Sequence, residues 1–227
     1  MRTAPDRAAV LRWSTENRLL MVDLLAGLAD EQWEQPTLCE GWTVRTMAGH
    51  LRQPAHYGFV RFVLVALRHH GDVDRAVDSI ARRLARVPRD EVLDDLRRHA
   101  GDELDPPKVG LMGPFADTCL HLGDVARPLG LPVDVPTEHW VALLDYLVSP
   151  EVAPALAPRD RADGLRLVAS DAAWRAGSGP EVSGPVEAPG DGGHRSPGGA
   201  VRPDRRRCDT SGRPDPPLTL HGGQTCT

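Results

Sequence analysis

Residues 113–130 read GPFADTCLHLGDVARPLG, and the fold of the chain turns on how this stretch is interpreted. Pro114 suits the first turn of a helix, where a missing N–H costs nothing. Phe115, Cys119, Leu122, Ala126 and Leu129 then recur at three- and four-residue steps, the apolar stripe of an amphipathic helix. Asp117, His121 and Asp124 run beside that stripe at i, i+4 and i+7. A carboxylate and an imidazole one turn apart point the same way and suit a divalent metal. A solvated polar face has the same pattern, so this stretch alone leaves both readings open.

Outward from it, the chain reads as further helices. Residues 5–29 carry an apolar face (Leu11, Trp13, Leu20, Leu24, Leu28) opposite Asp6, Arg7, Glu16 and Arg18. A short turn at 30–33 leads into the loop PTLCEGW (36–42), marked by Pro36 and Gly41. Thr43 is the expected N-cap of a second helix carrying Val44, Met47, His50 and Leu51. Pro54 bends or restarts it, and Tyr57, Phe59, Val60, Phe62, Val63 and Leu67 continue an apolar face to about His70. Val73, Ala76, Ile80 and Leu84 define a third helix, restarted at Pro88. The prolines and glycines of 101–113 make a loop, and Pro136-Thr137 opens a last helix through Leu147. The body to about residue 149 therefore predicts a bundle of four or five helices.

The composition then changes. GLRLVASDAAWRAGSGPEVSGPVEA (164–188) has short apolar runs between Gly-rich turns, read as two or three strands opening a small α+β unit over 150–188. From Ala188 to Thr227 there are eight Gly, six Pro and no aromatic residue, a composition that cannot offset its ordering entropy. That tail, 189–227, reads as disordered. In GC-rich codons a one-base shift turns Pro189–Gly199 into an amphipathic segment, so a frameshift origin is expected; the nucleotide sequence tests it.

A chain of 227 residues, 41% hydrophobic, can bury a substantial core. Its formal charge of −5 gives no reason to expect nucleic acid or an anionic membrane as partner. The N-terminus lacks the apolar run of a signal peptide and no stretch approaches membrane-spanning length, so a cytoplasmic protein is expected. Cys39, Cys119, Cys208 and Cys226 show neither a CxxC pair nor disulfide-framework spacing.

His50 is the residue that joins the helical pattern to chemistry. If its helix faces the 114–130 helix across the core, His50, Asp117 and His121 bring two imidazoles and a carboxylate together. That set suits Zn²⁺ or a similar divalent ion with one coordination position open, the arrangement of catalytic rather than structural zinc. Asp124 is either a partner orienting His121 or a surface charge. Cys39 reads as a packed loop thiol in preference to a nucleophile, Cys119 as core, and Arg127 as a helix-terminal cation or a carboxylate clamp. Trp33 and Trp42 wedge the loop into the bundle, and His56, His69 and His70 are expected at the surface.

PTLCEGWTVRTMAGHL (36–51) together with DTCLHLGDVARPLG (117–130) resembles the mycothiol-dependent maleylpyruvate isomerase family, within the wider DinB-like metal-binding bundles. GLRLVASDAAWRAGSGPEVSGP (164–185) resembles the start of that family's C-terminal domain. The resemblance implies a mainly α fold, a DinB-like four-helix bundle over 5–149 followed by a truncated small α/β segment and the disordered tail. It implies metal ligands at His50, Asp117 and His121, with Asp where the best-known members carry Glu, one methylene longer. It also implies mycothiol as a thiol cofactor and a small unsaturated acid or electrophile as substrate, in a monomer or homodimer. The implied reaction is thiolate addition to a cis double bond, rotation and departure of the thiolate. A mycothiol S-transferase and a non-catalytic metal-binding stress or regulatory module are the alternatives.

Overall fold

A computed structural model describes residues 4–107, 109–153, 156, 163–186 and 202–203. α1 (Arg7–Gly27) begins at Asp6, whose carboxylate accepts from the Ala9 amide at 2.7 Å. Its inward line is Val10, Ser14, Asn17, Met21 and Leu25, so two polar residues sit in the core register. α2 (Asp30–Trp33) is a single turn that buries Trp33, whose indole N–H donates to the Leu25 carbonyl at 3.3 Å. α3 (Val44–Leu51) is capped by Thr43 as the sequence implies, and Pro54 restarts the chain as α4 (Gln53–His56).

α5 (Phe59–Arg68) departs from the expectation. No residue of α5 is buried, and Phe59, Val60 and Leu67 are 66–72% exposed. The break after α4 and the extended backbone at Tyr57 and Gly58 carry the helix off the bundle, chiefly against α6 (Val73–Leu84). Apolar periodicity identifies a face but not the surface that covers it. α7 (Arg89–Arg98) begins beyond Pro88, and α9 (Thr137–Leu147) begins beyond Pro136.

α8 (Met112–Ala126) is the central element. Twelve of its fifteen residues are buried, because α1 and α9 pack along it and α3 crosses it. It ends at Ala126, before Leu129, in a turn closed by the Leu131 amide on the Ala126 carbonyl at 3.0 Å. Gly130 there adopts φ +65°, a conformation that costs glycine little. The helical core gathers Met21, Leu25, Trp33, Trp42, Met47, Phe115 and Leu122.

A small sheet follows: β1 (Arg166–Ala169), β2 (Arg175–Gly177), β3 (Glu181–Gly184) and the two-residue β4 (Arg202–Pro203), in the order β2-β1-β3-β4. β1 pairs antiparallel with β2 and parallel with β3, with Leu167 opposite Ala176 and Val182. Leu167, Trp174 and Val182 pack on Leu144 of α9, and the Trp174 indole N–H donates to Asp145 at 2.8 Å. The strands read from 164–188 are thus present, and β4 adds a pair of residues from the stretch read as disordered. The remainder of 189–227 lies outside the described residues. No helix among the described residues is long and apolar enough to cross a membrane.

Candidate metal centre

The loop before α3 fixes where the site forms. Pro36 bridges to Thr43, the Thr37 amide bonds the Trp42 carbonyl at 2.9 Å, and the Leu38 amide bonds the Asp124 carbonyl of α8 at 3.1 Å. The loop is therefore pinned to α8 immediately before α3 departs from it, and α3 then runs back with His50 on the crossing face. Gly49 makes the crossing with α6 close: a Cβ there would lie 2.2 Å from the Ala81 carbonyl oxygen.

His50 of α3 meets Asp117 and His121 of α8. His50 Nε2 lies 3.5 Å from Asp117 Oδ2, and His121 Nε2 lies 3.3 Å from Asp117 Oδ1. The two imidazoles stand edge to face, 5.0 Å between centroids. One donor atom from each of the three residues lies within 4.8 Å of the others. Bonds of about 2.0–2.1 Å in tetrahedral directions separate two ligands by roughly 3.4 Å, so the imidazole-to-carboxylate separations match a shared divalent ion. α3 and α8 are in contact, which brings the shorter side chain of Asp117 within 3.5 Å of His50.

Two further observations bear on what the trio holds. Both ring nitrogens of His50 are buried without a hydrogen-bond partner, and a buried polar atom left so is costly unless a ligand completes it. Trp42 packs tilted against the His50 ring, 5.1 Å between centroids. Behind His121, Nδ1 bonds Asp124 Oδ2 at 2.8 Å, with both side chains 3–4% exposed. That bond fixes a proton on Nδ1 and turns Nε2 toward Asp117, the carboxylate–histidine pairing that orients metal-binding imidazoles. The Cys39 thiol donates to the same Asp124 Oδ2 at 3.6 Å, 4.0 Å from His121 Nδ1.

The electrostatics are those of tightly coupled opposite charges. Burial alone would raise the Asp117 pKa, yet His121 and His50 outweigh it and hold the carboxyl far below its usual range. Burial alone would lower His121, and the facing Asp117 with Asp124 behind raises it well above the ordinary histidine value. Both shifts favour the charged pair, and a cation binding there would displace a proton.

The three ligands expected from sequence converge, and Asp124 is the buried partner of His121 instead of a surface charge. Trp42 is a wall of the site as well as a wedge. His56 departs from the surface reading, since its Nε2 bonds Asp95 at 2.6 Å beside Arg52, which donates to Asp95 at 2.7 Å. Two features lie outside what the helical periodicity shows. His139, fully buried, bonds Asn17 at 2.8 Å, and burial lowers its pKa; the signal for it was a polar Asn17 on the apolar stripe of α1. Arg18, placed on the solvated face by periodicity, instead lines a cavity beside Asp117.

The fold and this histidine–aspartate trio define a mainly α bundle with a candidate metal centre between two of its helices. The model of the mycothiol maleylpyruvate isomerase N-terminal domain matches residues 18–163, and the chain belongs to that family. Two crystal structures of mycothiol-dependent maleylpyruvate isomerase, one of a histidine-to-alanine mutant, share the fold at TM-score 0.51 and 14–15% identity. The match covers 82% of this chain and 88% of each of theirs. No curated protein matches the chain.

Proposed function

We propose that the chain is a metal-dependent isomerase of the maleylpyruvate isomerase type that uses a low-molecular-weight thiol, mycothiol, and that His50, Asp117 and His121 hold its divalent ion. The observation carrying this reading is the convergence of three donor groups, with both ring nitrogens of the partly exposed His50 shielded and without a hydrogen bond. Two nitrogens and one oxygen with a cavity beside them suit Zn²⁺ with an open position. A divalent ion there supplies a Lewis acid that acidifies a thiol, and the thiol supplies a nucleophile for reversible addition to an activated cis double bond.

The chain's own residues have distinct tasks in this reading. His50 and His121 present Nε2 lone pairs, and Asp117 contributes the negative charge that makes the set favour a dication. Asp124 holds the proton of His121 at Nδ1, which keeps Nε2 free for ligation. Trp42 excludes water from one face of His50. Elemental analysis of the purified full chain and of His50→Ala tests the centre, alongside a mycothiol-dependent assay of cis–trans conversion of maleylpyruvate. One divalent ion per wild-type chain, lost in His50→Ala together with turnover, is expected. Full metal retention in the variant would overturn the assignment, and accumulation of a stable thioether would redirect it to an S-transferase.

A further inference from the structure

The cavity next to the trio has a volume of about 120 Å³ and is bordered by Arg18, His50, His99, Asp117 and Thr118, with apolar wall from Leu96. It has room for the head of a small acid. α1 delivers Arg18 into it with a fixed orientation: Nη1 donates to the carbonyls of Ala100 at 3.1 Å and Asp102 at 2.7 Å. Both Nη1 protons are thereby used, whereas the Nε–H and Nη2–H edge has no hydrogen-bond partner among the described residues.

The nearby carboxylates are committed elsewhere. Asp102 accepts from His99 at 2.7 Å, Asp95 takes Arg52 and His56, and Asp117 faces the two imidazoles. None of them lies within ion-pair distance of Arg18. Arg52, lining the same cavity, is satisfied by Asp95 and by the Leu84 carbonyl at 2.7 Å. Arg18 differs in being half-buried, oriented by neutral carbonyls and without a counter-anion. Burial lowers its pKa while Asp102 and Asp117 act to raise it, and a guanidinium stays charged throughout the working range. A partly desolvated charge without a counter-ion is costly, and the free edge has the two-pronged geometry that a carboxylate matches.

We propose that Arg18 is the carboxylate anchor of this cavity, its Nε–H and Nη2–H edge binding one carboxylate of the small unsaturated acid beside the His50–Asp117–His121 trio. The identity of that acid as substrate rests on the isomerase reading; the anion site itself does not.

Calorimetric titration of maleate, a minimal cis-unsaturated dicarboxylate, into the full chain reads the anchor directly. It is performed on zinc-loaded protein and on protein stripped of metal by a chelator. In both, Arg18→Gln is expected to weaken maleate about tenfold or more, the scale of a lost charge-assisted pair, with zinc content unchanged and a cooperative melting transition retained. Arg18→Lys retains the charge toward the two carbonyls but loses the fork, and is expected to fall between. With a turned-over substrate, Arg18→Gln raises KM more than it lowers kcat. Equal maleate binding by wild type, Arg18→Gln and Arg18→Lys, or no binding by wild type, overturns the anchor. Metal retained by His50→Ala sinks the isomerase centre and leaves the maleate comparison in force.

Discussion

Asp124→Asn removes one charge from the interior and little else. The Asp124 carboxylate takes the His121 Nδ1 proton at 2.8 Å and the Cys39 thiol at 3.6 Å on a single oxygen. At 3–4% side-chain exposure, water does not replace what is lost. An asparagine oxygen still accepts from Nδ1, but as a neutral acceptor it makes the imidazole a weaker donor to a cation. Turned the other way, its amide group donates to Nδ1 and forces the proton to Nε2, the atom assigned to the ion in the proposed centre. Changes of this kind cost about 10–100-fold in metal affinity, or about 1.4–2.7 kcal/mol at about 1.4 kcal/mol per decade. The assay is competition for Zn²⁺ against a chromophoric chelator at neutral pH, with thermal melting to establish that the variant is folded. Asp124→Asn with zinc affinity within threefold of wild type would refute the reasoning, because it would mean that packing alone orients His121.

Gly49→Ala places a Cβ 2.2 Å from the Ala81 carbonyl oxygen and 2.8 Å from the Ala85 nitrogen, so α3 and α6 must part. A loss of about 1–3 kcal/mol in chemical denaturation is expected, and weakened metal binding with it, since His50 is the next residue; unchanged values for both would contradict the close crossing. Asp95→Asn leaves the buried Arg52 guanidinium without its carboxylate, a loss of about 3–5 kcal/mol at pH 7. For Asp95, burial opposes ionisation but His56 and Arg52 prevail and lower the pKa, so its stabilisation is full above the ordinary carboxylate range and disappears as pH falls through the depressed folded value. Urea unfolding from pH 7 into acid is expected to show a gap between wild type and Asp95→Asn that narrows on acidification; a gap independent of pH would count against the ion pair.

What could be read from sequence was local. Asp117 and His121 lie one turn apart on a strongly periodic helix, and helical geometry alone puts them on one side. Thr43, Pro54, Pro88 and Pro136 mark their boundaries because capping and ring sterics act within a few residues. Periodicity misled at α5, where Phe59, Val60 and Leu67 have helical spacing but face solvent, since the covering surface is a tertiary property. The long-range pairs were equally out of reach: Arg18 on Asp102, Arg52 on Asp95 and Asn17 on His139 join residues 84, 43 and 122 positions apart. No composition or spacing rule connects them, although a polar Asn17 between Val10, Met21 and Leu25 marks a core position that must find a partner.

The loop 37–43 ties together the two helices that carry His50, Asp117 and His121. Its Leu38 amide and Cys39 thiol both bond Asp124, so the loop attaches at the residue that orients His121. Its Trp42 lies on the ring of His50, and its Thr43 caps the helix that carries His50. Movement of the loop therefore displaces the partner of one imidazole and the wall of the other together. The alternative, two helices positioned only by side-chain packing, would let His50 and His121 drift independently by the few tenths of an ångström that ligation does not tolerate. In this chain the loop adds hydrogen bonds to Asp124, a cap on α3 and a ring contact with His50 to the direct packing of α3 against α8. In the proposed centre a carboxylate with one methylene fewer demands a fixed separation of α3 and α8, and the loop, bonded to α8 at Asp124 and continuing into α3, ties the two helices together at one end.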